Sequence, residues 1–469
     1  MDNGTLFKKN ILENIKLPIN SAQQWLMGSD ARVLVILILL AALTRLPLIF
    51  FPNSTIADEV TYANFATLVH YGIPFFDIHP PLVRIVFANI LSAIEYTPKI
   101  FSFAIAQPYG DFPFTLLRFF VAIFGISLPP LLYLIGRLSQ LSRPWALLGG
   151  LLVICDNALT LYGGSILPDT LLLFFNFAAL ACVLISTKII KPRYSWLFVI
   201  LGSVLWGLAL SIKWTSLGML PVFALLFLVM RDRSIFKLCA YTSLSIIVYI
   251  SIFFYYFTLF SPTNNPIIFL SPVKYSSEIQ DTRFPDPQQP MSIIKYIATS
   301  QQLMMSANES IYNDQRPKTP HPNTWPLGQH PIHYWWDEHM PNKNIYLIPN
   351  IVLWPLLFLV FLYALYALGK KLIFHPLDTW HDNQFIILFT VGYLVNYLPF
   401  FFIHRPMYLY HYFHSLLFLM LLTPHILPIV LQKISKLLRA PQIFTPLLAA
   451  LLTLIGLMYL VFLPLTYGW

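Results

Sequence analysis

The 469-residue chain is 57% hydrophobic and 16% aromatic but only 10% charged, with a formal net charge of +9. A water-soluble domain usually carries about 25% charged residues, so the composition excludes a soluble globular enzyme and describes a polytopic membrane protein. Cys155, Cys182 and Cys239 all lie in apolar runs, which speaks against a disulfide framework or a thiolate metal site and leaves them as small packing residues.

The polar start, with Lys8, Lys9, Asn10 and Glu13, runs directly into an apolar stretch of full span length, a pattern without a cleavable signal peptide. A bilayer crossing needs about 20 mostly apolar residues. Eleven spans are predicted: 32–51, 116–136, 144–162, 167–187, 196–212, 216–230, 238–260, 347–368, 385–402, 409–431 and 444–463. Segment 81–103 is also apolar, but Arg84, Asn89, Glu95 and Lys99 interrupt it. It reads as an interfacial helix of the first outer loop. The expected organisation is an inner, cytoplasmic segment 1–31, a transmembrane module 32–260 holding the chemistry and the first outer loop 52–115, an outer loop 261–346, and C-terminal membrane helices 347–469.

Charge sorted by side agrees with this order. Seventeen of the 29 Lys and Arg fall in the inner segments, from Lys8 to Arg439, and every inner connection is basic, as the positive-inside rule requires. Making 81–103 a span would invert everything after it and destroy the agreement. Six other cations, Arg45, Arg84, Lys99, Arg118, Lys213 and Arg405, then stand at outer span ends or in the outer interfacial segment. Lys99 reads as a snorkelling side chain. Arg118, Lys213 and Arg405 come from separate parts of the chain to one membrane level, which reads as an anion site suited to phosphate; the alternative is three unrelated snorkelling residues.

On that same level lies an acidic pair, Asp58-Glu59, followed by Phe76-Asp77-Ile78-His79-Pro80-Pro81-Leu82. Carboxylates at a span end are costly unless they face water or a cation. Taken alone, the pair fits either a general acid/base site at the membrane surface or the cap of a juxtamembrane helix, with Thr55 as another capping candidate. The segment from Arg405 to His414, with Tyr410 and His411, is dense in rings and positive charge, although Tyr favours membrane interfaces anyway. The outer loop holds Trp325-Pro326-Leu327 and His330-Pro331-Ile332-His333-Tyr334-Trp335-Trp336, and a loop of that length is more often a functional cap than a connector. His321, His330, His333 and His339 match no zinc spacing and read as solvated side chains, so no metal is expected.

Together these residues resemble the protein O-mannosyltransferases, multi-span glycosyltransferases that use polyprenyl-phosphate sugars. Thr44-Arg45, Asp58-Glu59 and Phe75 to Leu82 are similar to the family's opening signature. Leu117-Arg118-Phe119, Asp156-Asn157-Ala158-Leu159, Leu167-Pro168-Asp169, Ser211-Ile212-Lys213-Trp214, Trp325-Pro326-Leu327 and Tyr410-His411-Tyr412-Phe413 continue it in order. The chain departs from the family's usual Lys at Arg84, from its Arg-Pro-Val/Ile at His330-Pro331-Ile332, and from its Gly-Asn-Pro-Val at Ile348-Pro349-Asn350-Ile351. The outer loop is also too short for the β-trefoil MIR domain of eukaryotic members.

The resemblance implies an all-α GT-C fold and an inverting enzyme that moves mannose from a polyprenyl-phosphate carrier to Ser/Thr hydroxyls of a secreted or membrane protein. It assigns the proton-accepting carboxylate to Asp58, with Glu59 orienting or binding beside it. Arg118, Lys213, Arg405, His411 and Tyr410 are expected to cradle the donor phosphate. Arg45 is expected to pair with Glu59 or Asp58, Asp77 and His79 to order the first outer loop, and Asp156 and Asp169 to bridge helices. No cofactor beyond the lipid-linked donor and no nucleic acid is expected; membrane lipids are expected partners, and a homo- or heterodimer is left open. The expected location is a bacterial inner membrane with the site facing the periplasm, or the endoplasmic reticulum membrane in a eukaryote. The competing readings are a transferase acting on lipid A or another glycolipid, and a transporter or flippase. The chain shows no internal repeat, and its charges gather at one face instead of lining a midplane path, which favours the enzyme.

Overall fold

The computed structural model describes residues 27–72, 75, 77–97, 105–229, 233–259, 293–310, 319–337, 340, 342–374, 376–403 and 406–469. Of the residues singled out above, Lys8, Lys9, Asn10, Glu13, Phe76, Lys99, His339 and Arg405 lie outside the described residues.

Long apolar stretches become helices because backbone groups in hydrocarbon have to be satisfied within the segment. In chain order these are α1 (Asp30–Arg45), α2 (Pro47–Phe50), α3 (Glu59–His70), α4 (Leu82–Ala93), α5 (Phe114–Leu138), α6 (Arg143–Ile154), α7 (Asn157–Tyr162), α8 (Asp169–Lys188) and α9 (Pro192–Leu210). Then come α10 (Leu220–Leu228), α11 (Ile235–Thr258), α12 (Ile293–Ser310), α13 (Leu353–Phe374), α14 (Pro376–Tyr397), α15 (Phe413–Leu437), α16 (Phe444–Val461) and α17 (Leu463–Tyr467). Among the described residues, nine helices are long and apolar enough to cross a bilayer.

The predicted count of eleven is not reproduced by long helices alone. The span expected at 144–162 is broken into α6 and α7, where Cys155 and Asp156 leave the helix and the Asp156 carboxylate caps α7 by accepting the Leu159 N–H at 2.8 Å. The span expected at 216–230 is a 3₁₀ turn, Trp214–Met219, running into the short α10. Helix α4 occupies the predicted interfacial segment. Its 12 residues reach about 18 Å at 1.5 Å per residue, too short for a hydrocarbon layer of about 30 Å.

The core is built around α15, whose most apolar window is 94% buried, against 17% for α11 and α16. Thus α15 is enclosed by the bundle, whereas α11 and α16 stand at its edge and leave apolar faces such as Ile246, Ile247, Ile250, Leu454 and Leu457 exposed. In a spanning protein such faces meet lipid rather than water. Helix α8 packs on α9 and α5, and α5 packs in turn on α1 and α6. At one end of the bundle Arg137 and Arg143 bind Asp30, at 2.9 and 3.2 Å. Since α1 and α5 run in opposite directions, this places Arg45 and Arg118 together at the other end.

That second end carries the non-spanning parts. Helices α3 and α4 pack on one another there. Within 261–346 the strands β1 (Ile332–Trp336) and β2 (Asn344–Leu347) form a short antiparallel hairpin, a local addition to the helical fold. A 3₁₀ turn at Pro322–Leu327 buries Trp325 completely, and its indole N–H donates to the Pro320 carbonyl at 3.0 Å.

Candidate active site

The acidic pair divides its roles by burial. Asp58 is the exposed N-cap residue of α3, whereas the next residue, Glu59, is fully buried. The Glu59 carboxylate accepts from Arg118 Nε at 3.0 Å and Nη2 at 2.6 Å, from the Tyr109 hydroxyl at 2.9 Å, and from the N–H groups of Ile56 and Ile166 at 3.1 and 2.7 Å. Arg118 is also fully buried. Its remaining donors go to the carbonyls of Leu48, Pro52 and Ser54, at 3.2, 2.7 and 3.1 Å. A guanidinium has five N–H donors, and all five are taken.

This pair bears on two of the expected roles. Arg118 has no donor left for a phosphate, and Glu59 is walled off from solvent as a structural counter-ion. Arg45 does not pair with either carboxylate: it is 1% exposed and donates to the Val153 carbonyl at 2.9 Å and the Thr44 hydroxyl at 2.5 Å. Along the chain the two arginines look alike, because Arg45 ends α1 and Arg118 lies near the start of α5, at the same end of the bundle.

Lys213 ends the α9 segment in extended conformation. Its ammonium donates to both oxygens of Asp169, the first residue of α8, at 2.8 and 2.9 Å. Burial of the two side chains is incomplete, at 9% and 11% exposed, so the pair stands at the edge of the core. The Lys213 ammonium also lies 5.2 Å from the centre of the Tyr410 ring, within cation–π range. Tyr410 stacks on His411 at 4.5 Å, and His411 stacks in turn on the buried Trp325 at 6.3 Å. The His411 ring is fixed by the Tyr408 N–H, which donates to Nδ1 at 3.1 Å.

The two groups of residues converge. Tyr62, one turn along α3 from Asp58, lies within electrostatic reach of Asp77, Asp169, Asp58 and Tyr410. Tyr334 on β1 feels Tyr410, Asp58 and Asp169. Burial first, and these negative neighbours second, hold both phenols well above the usual tyrosine range, so they remain protonated. Asp77 binds Arg84 at 2.5 Å and accepts the His79 N–H at 3.2 Å. Burial raises its carboxyl above the usual range, with Arg84 as the largest opposing influence. The Arg84 guanidinium lies over the rings of Phe75 and Tyr256, at 5.1 and 4.6 Å. Asp156 stands apart from this cluster: it accepts the Trp354 indole N–H at 2.6 Å and so joins α7 to α13.

The structure therefore gathers Asp58, Asp77, Lys213 and Tyr410, with His411 stacked behind Tyr410. It turns Glu59 and Arg118 into their support, and it separates Arg45 and Asp156 from them. Sequence reasoning gave no role to Tyr62 or Tyr162, and named Tyr334 only as part of the stretch from His330 to Trp336. Single tyrosines at a membrane interface carry no distinguishing signal.

Residues 35–261 match the family model for dolichyl-phosphate-mannose-protein mannosyltransferase, and residues 293–469 match that for the C-terminal four-span region of protein O-mannosyltransferase. The chain belongs to the protein O-mannosyltransferase family. Protein O-mannosyltransferase 1 of Drosophila melanogaster is 28% identical over 240 residues, 47% of this chain and 27% of that protein. Dolichyl-phosphate-mannose–protein mannosyltransferase 1 of Candida albicans is 30% identical over 223 residues, 46% of this chain and 24% of that protein. The matches thus span about a quarter of the length of these relatives. The Saccharomyces cerevisiae protein O-mannosyltransferase Pmt1–Pmt2 complex bound to the sugar donor superposes with a TM-score of 0.77 at 16% identity, over 96% of this chain and 92% of that one. The fold of this family member is accordingly the GT-C arrangement expected.

Proposed function

We propose that this chain transfers mannose, with inversion, from a polyprenyl-phosphate carrier to Ser or Thr hydroxyls of proteins. The observation that carries the reading is the division within the acidic pair: an exposed Asp58 carboxylate held by a saturated Glu59–Arg118 pair, on the same rim as the Lys213–Asp169 pair and Tyr410. An exposed carboxylate at the end of a helix is placed to accept a proton. A lysine at the core edge beside an aromatic ring is placed to meet phosphate oxygens.

In this mechanism Asp58 takes the proton of the acceptor hydroxyl as its oxygen attacks the anomeric carbon. The bond from that carbon to the phosphate oxygen breaks, and polyprenyl phosphate leaves with the bonding electrons. One displacement at carbon inverts its configuration, and no second catalytic carboxylate is required, unlike the paired acids of glycosidases. Lys213 neutralises the charge that develops on the leaving phosphate, a type of interaction that weighs heavily in the transition state. Asp169 holds the Lys213 ammonium in place before the donor arrives. Tyr410 and His411 complete the phosphate side, together with Arg405, which lies outside the described residues. Asp77, His79 and Arg84 order the first outer loop beneath it. No divalent metal takes part in this scheme.

The acceptor is read as an extended protein segment, because the outer loop offers Trp, Tyr, Pro and amide groups rather than the dense basic cluster that a multiply phosphorylated glycolipid would call for. The active end is assigned to the periplasmic or lumenal face, and a second subunit is a natural partner within the membrane. The test is a transfer assay with purified protein, polyprenyl-phosphate mannose and two acceptors, a Ser/Thr-rich peptide and lipid A. Mannose on the peptide supports the reading. Mannose on the lipid alone would move the chain to the glycolipid-modifying branch.

A further inference from the structure

Strand β1 carries a bulge. His333 pairs with Tyr346 and Trp335 with Ile345, so Tyr334 is the extra residue. Alternation along a regular strand sends neighbouring side chains to opposite faces, yet Tyr334 and Trp335 are both buried, at 4% exposed each. A bulge does this by breaking the alternation and re-aiming one side chain. It also releases the backbone of the extra residue from the ladder. The Tyr334 carbonyl, freed in this way, accepts the N–H of Ala57 at 2.8 Å. The Trp335 indole N–H donates to the Ser54 hydroxyl at 2.6 Å. Both contacts fall on the turn that leads into Asp58.

That turn needs holding. Ala57 has φ +42°, in the left-handed region that an L-residue other than Gly, Asn or Asp seldom adopts. Such a conformation persists only where the surroundings over-determine it. The second anchor of the bulge is the Tyr334 hydroxyl, which shares a 2.5 Å hydrogen bond with the Tyr162 hydroxyl. Tyr162 is the last residue of α7, and the chain runs from there through Ser165 and Ile166 to Asp169, the partner of Lys213. One bulged residue therefore touches the turn that presents Asp58 by its backbone, and the segment that supports Lys213 by its side chain.

We infer that Tyr334 is a positioning residue: its carbonyl and hydroxyl set the Asp58 turn against the Lys213 side of the site. The inference rests on the proposed role of Asp58 as base, and it makes the hairpin the part through which the outer loop acts on the chemistry. Tyr334 acts through the turn and touches neither donor nor acceptor, so its removal lowers turnover and leaves donor recognition unchanged.

The experiment uses the full chain in lipid nanodiscs with Tyr334→Phe, Tyr162→Phe and the double variant. Each removes the hydroxyl contact and keeps the ring that fills the core. Loss of one buried hydrogen bond predicts a kcat about three- to tenfold lower in either single variant, a donor KM within about twofold of the wild type, and a double variant no slower than the singles. Hydrogen–deuterium exchange of the amides from Ile56 to Tyr62 is expected to quicken in Tyr334→Phe. Unchanged kcat in both single variants, or losses that multiply in the double variant, overturns the inference. If the wild type transfers nothing to a Ser/Thr peptide, the functional reading fails and exchange alone decides: quicker exchange supports the clamp, and unchanged exchange removes it.

Discussion

Glu59 and Arg118 form a two-pronged ion pair in which neither side chain is exposed, one residue away from an aspartate that is exposed. Burying two charges is costly, and such a pair is tolerated only when every donor and acceptor is satisfied. Here the satisfaction comes from the carbonyls of Leu48, Pro52 and Ser54 and from the N–H groups of Ile56 and Ile166. The pair thereby ties α2, the turn before Asp58, α5 and the segment before α8 into one unit. It fixes where the helix bearing Asp58 begins.

Breaking that pair should cost stability before it costs chemistry. Removing one partner of a buried pair strands the other charge and typically costs about 3–5 kcal/mol. Glu59→Gln and Arg118→Ala are each expected to lower the thermal midpoint and the folded yield, and Arg118→Lys should not rescue them, because an ammonium cannot reproduce the fork geometry. Thermal unfolding in detergent measures this. Arg118→Ala protein with wild-type stability but weakened donor binding would return Arg118 to the phosphate.

Asp58→Asn should behave differently. The side chain is exposed, so stability should change little, while removal of a general base typically costs about 10²–10⁴-fold in rate. Donor affinity should stay near that of the wild type. Turnover and donor binding measured on the same preparation check both halves. Near-normal turnover in a folded Asp58→Asn protein would exclude it as the base.

Lys213→Ala should weaken binding of phosphate-bearing lipid. A charge-assisted contact is worth roughly 1.5–3 kcal/mol, or one to two decades in affinity, reduced here because Asp169 already neutralises part of the charge. Direct binding of polyprenyl phosphate, with the unphosphorylated alcohol as control, reads the effect. Equal affinity of variant and wild type for polyprenyl phosphate would leave the lysine as a structural partner of Asp169 alone.

Nine of the eleven predicted spans were legible as long apolar helices, because the bilayer sets the length of an apolar run that crosses it. The sequence could not show that α6 breaks at Cys155, since Asp156 reads equally well as an intramembrane polar group and as a helix cap. The gathering of Arg45, Arg118 and Lys213 toward one end of the bundle was legible from cations at span ends, but their different partners were not. Arg45 and Arg118 look alike along the chain, and only packing reveals that the Leu48, Pro52 and Ser54 carbonyls surround the second. The hairpin was hidden for another reason: a short strand with a bulge lacks the strict alternation by which strands are recognised. Nor does Ala57 announce a left-handed turn, because alanine is not a residue that favours one.

That last point supplies a test of the turn itself. In Ala57→Gly the relief of a left-handed alanine, about 1–2 kcal/mol, is set against glycine's added unfolded-state freedom, about 0.5–1 kcal/mol. The balance favours glycine by under about 1 kcal/mol, so stability should equal or slightly exceed that of the wild type, and turnover should remain close to it. Ala57→Val should fare worse, because a β-branched side chain at positive φ is a strong outlier. Its turn can relax only by giving up the hydrogen bond to the Tyr334 carbonyl, which would move Asp58 relative to Lys213. The expected pattern is a wild-type rate for Ala57→Gly and a rate at least about tenfold lower for Ala57→Val, by the effect of one lost buried hydrogen bond with added strain. Donor affinity should be retained in both. Equal turnover in the two variants would show that the left-handed turn does not govern the placement of Asp58.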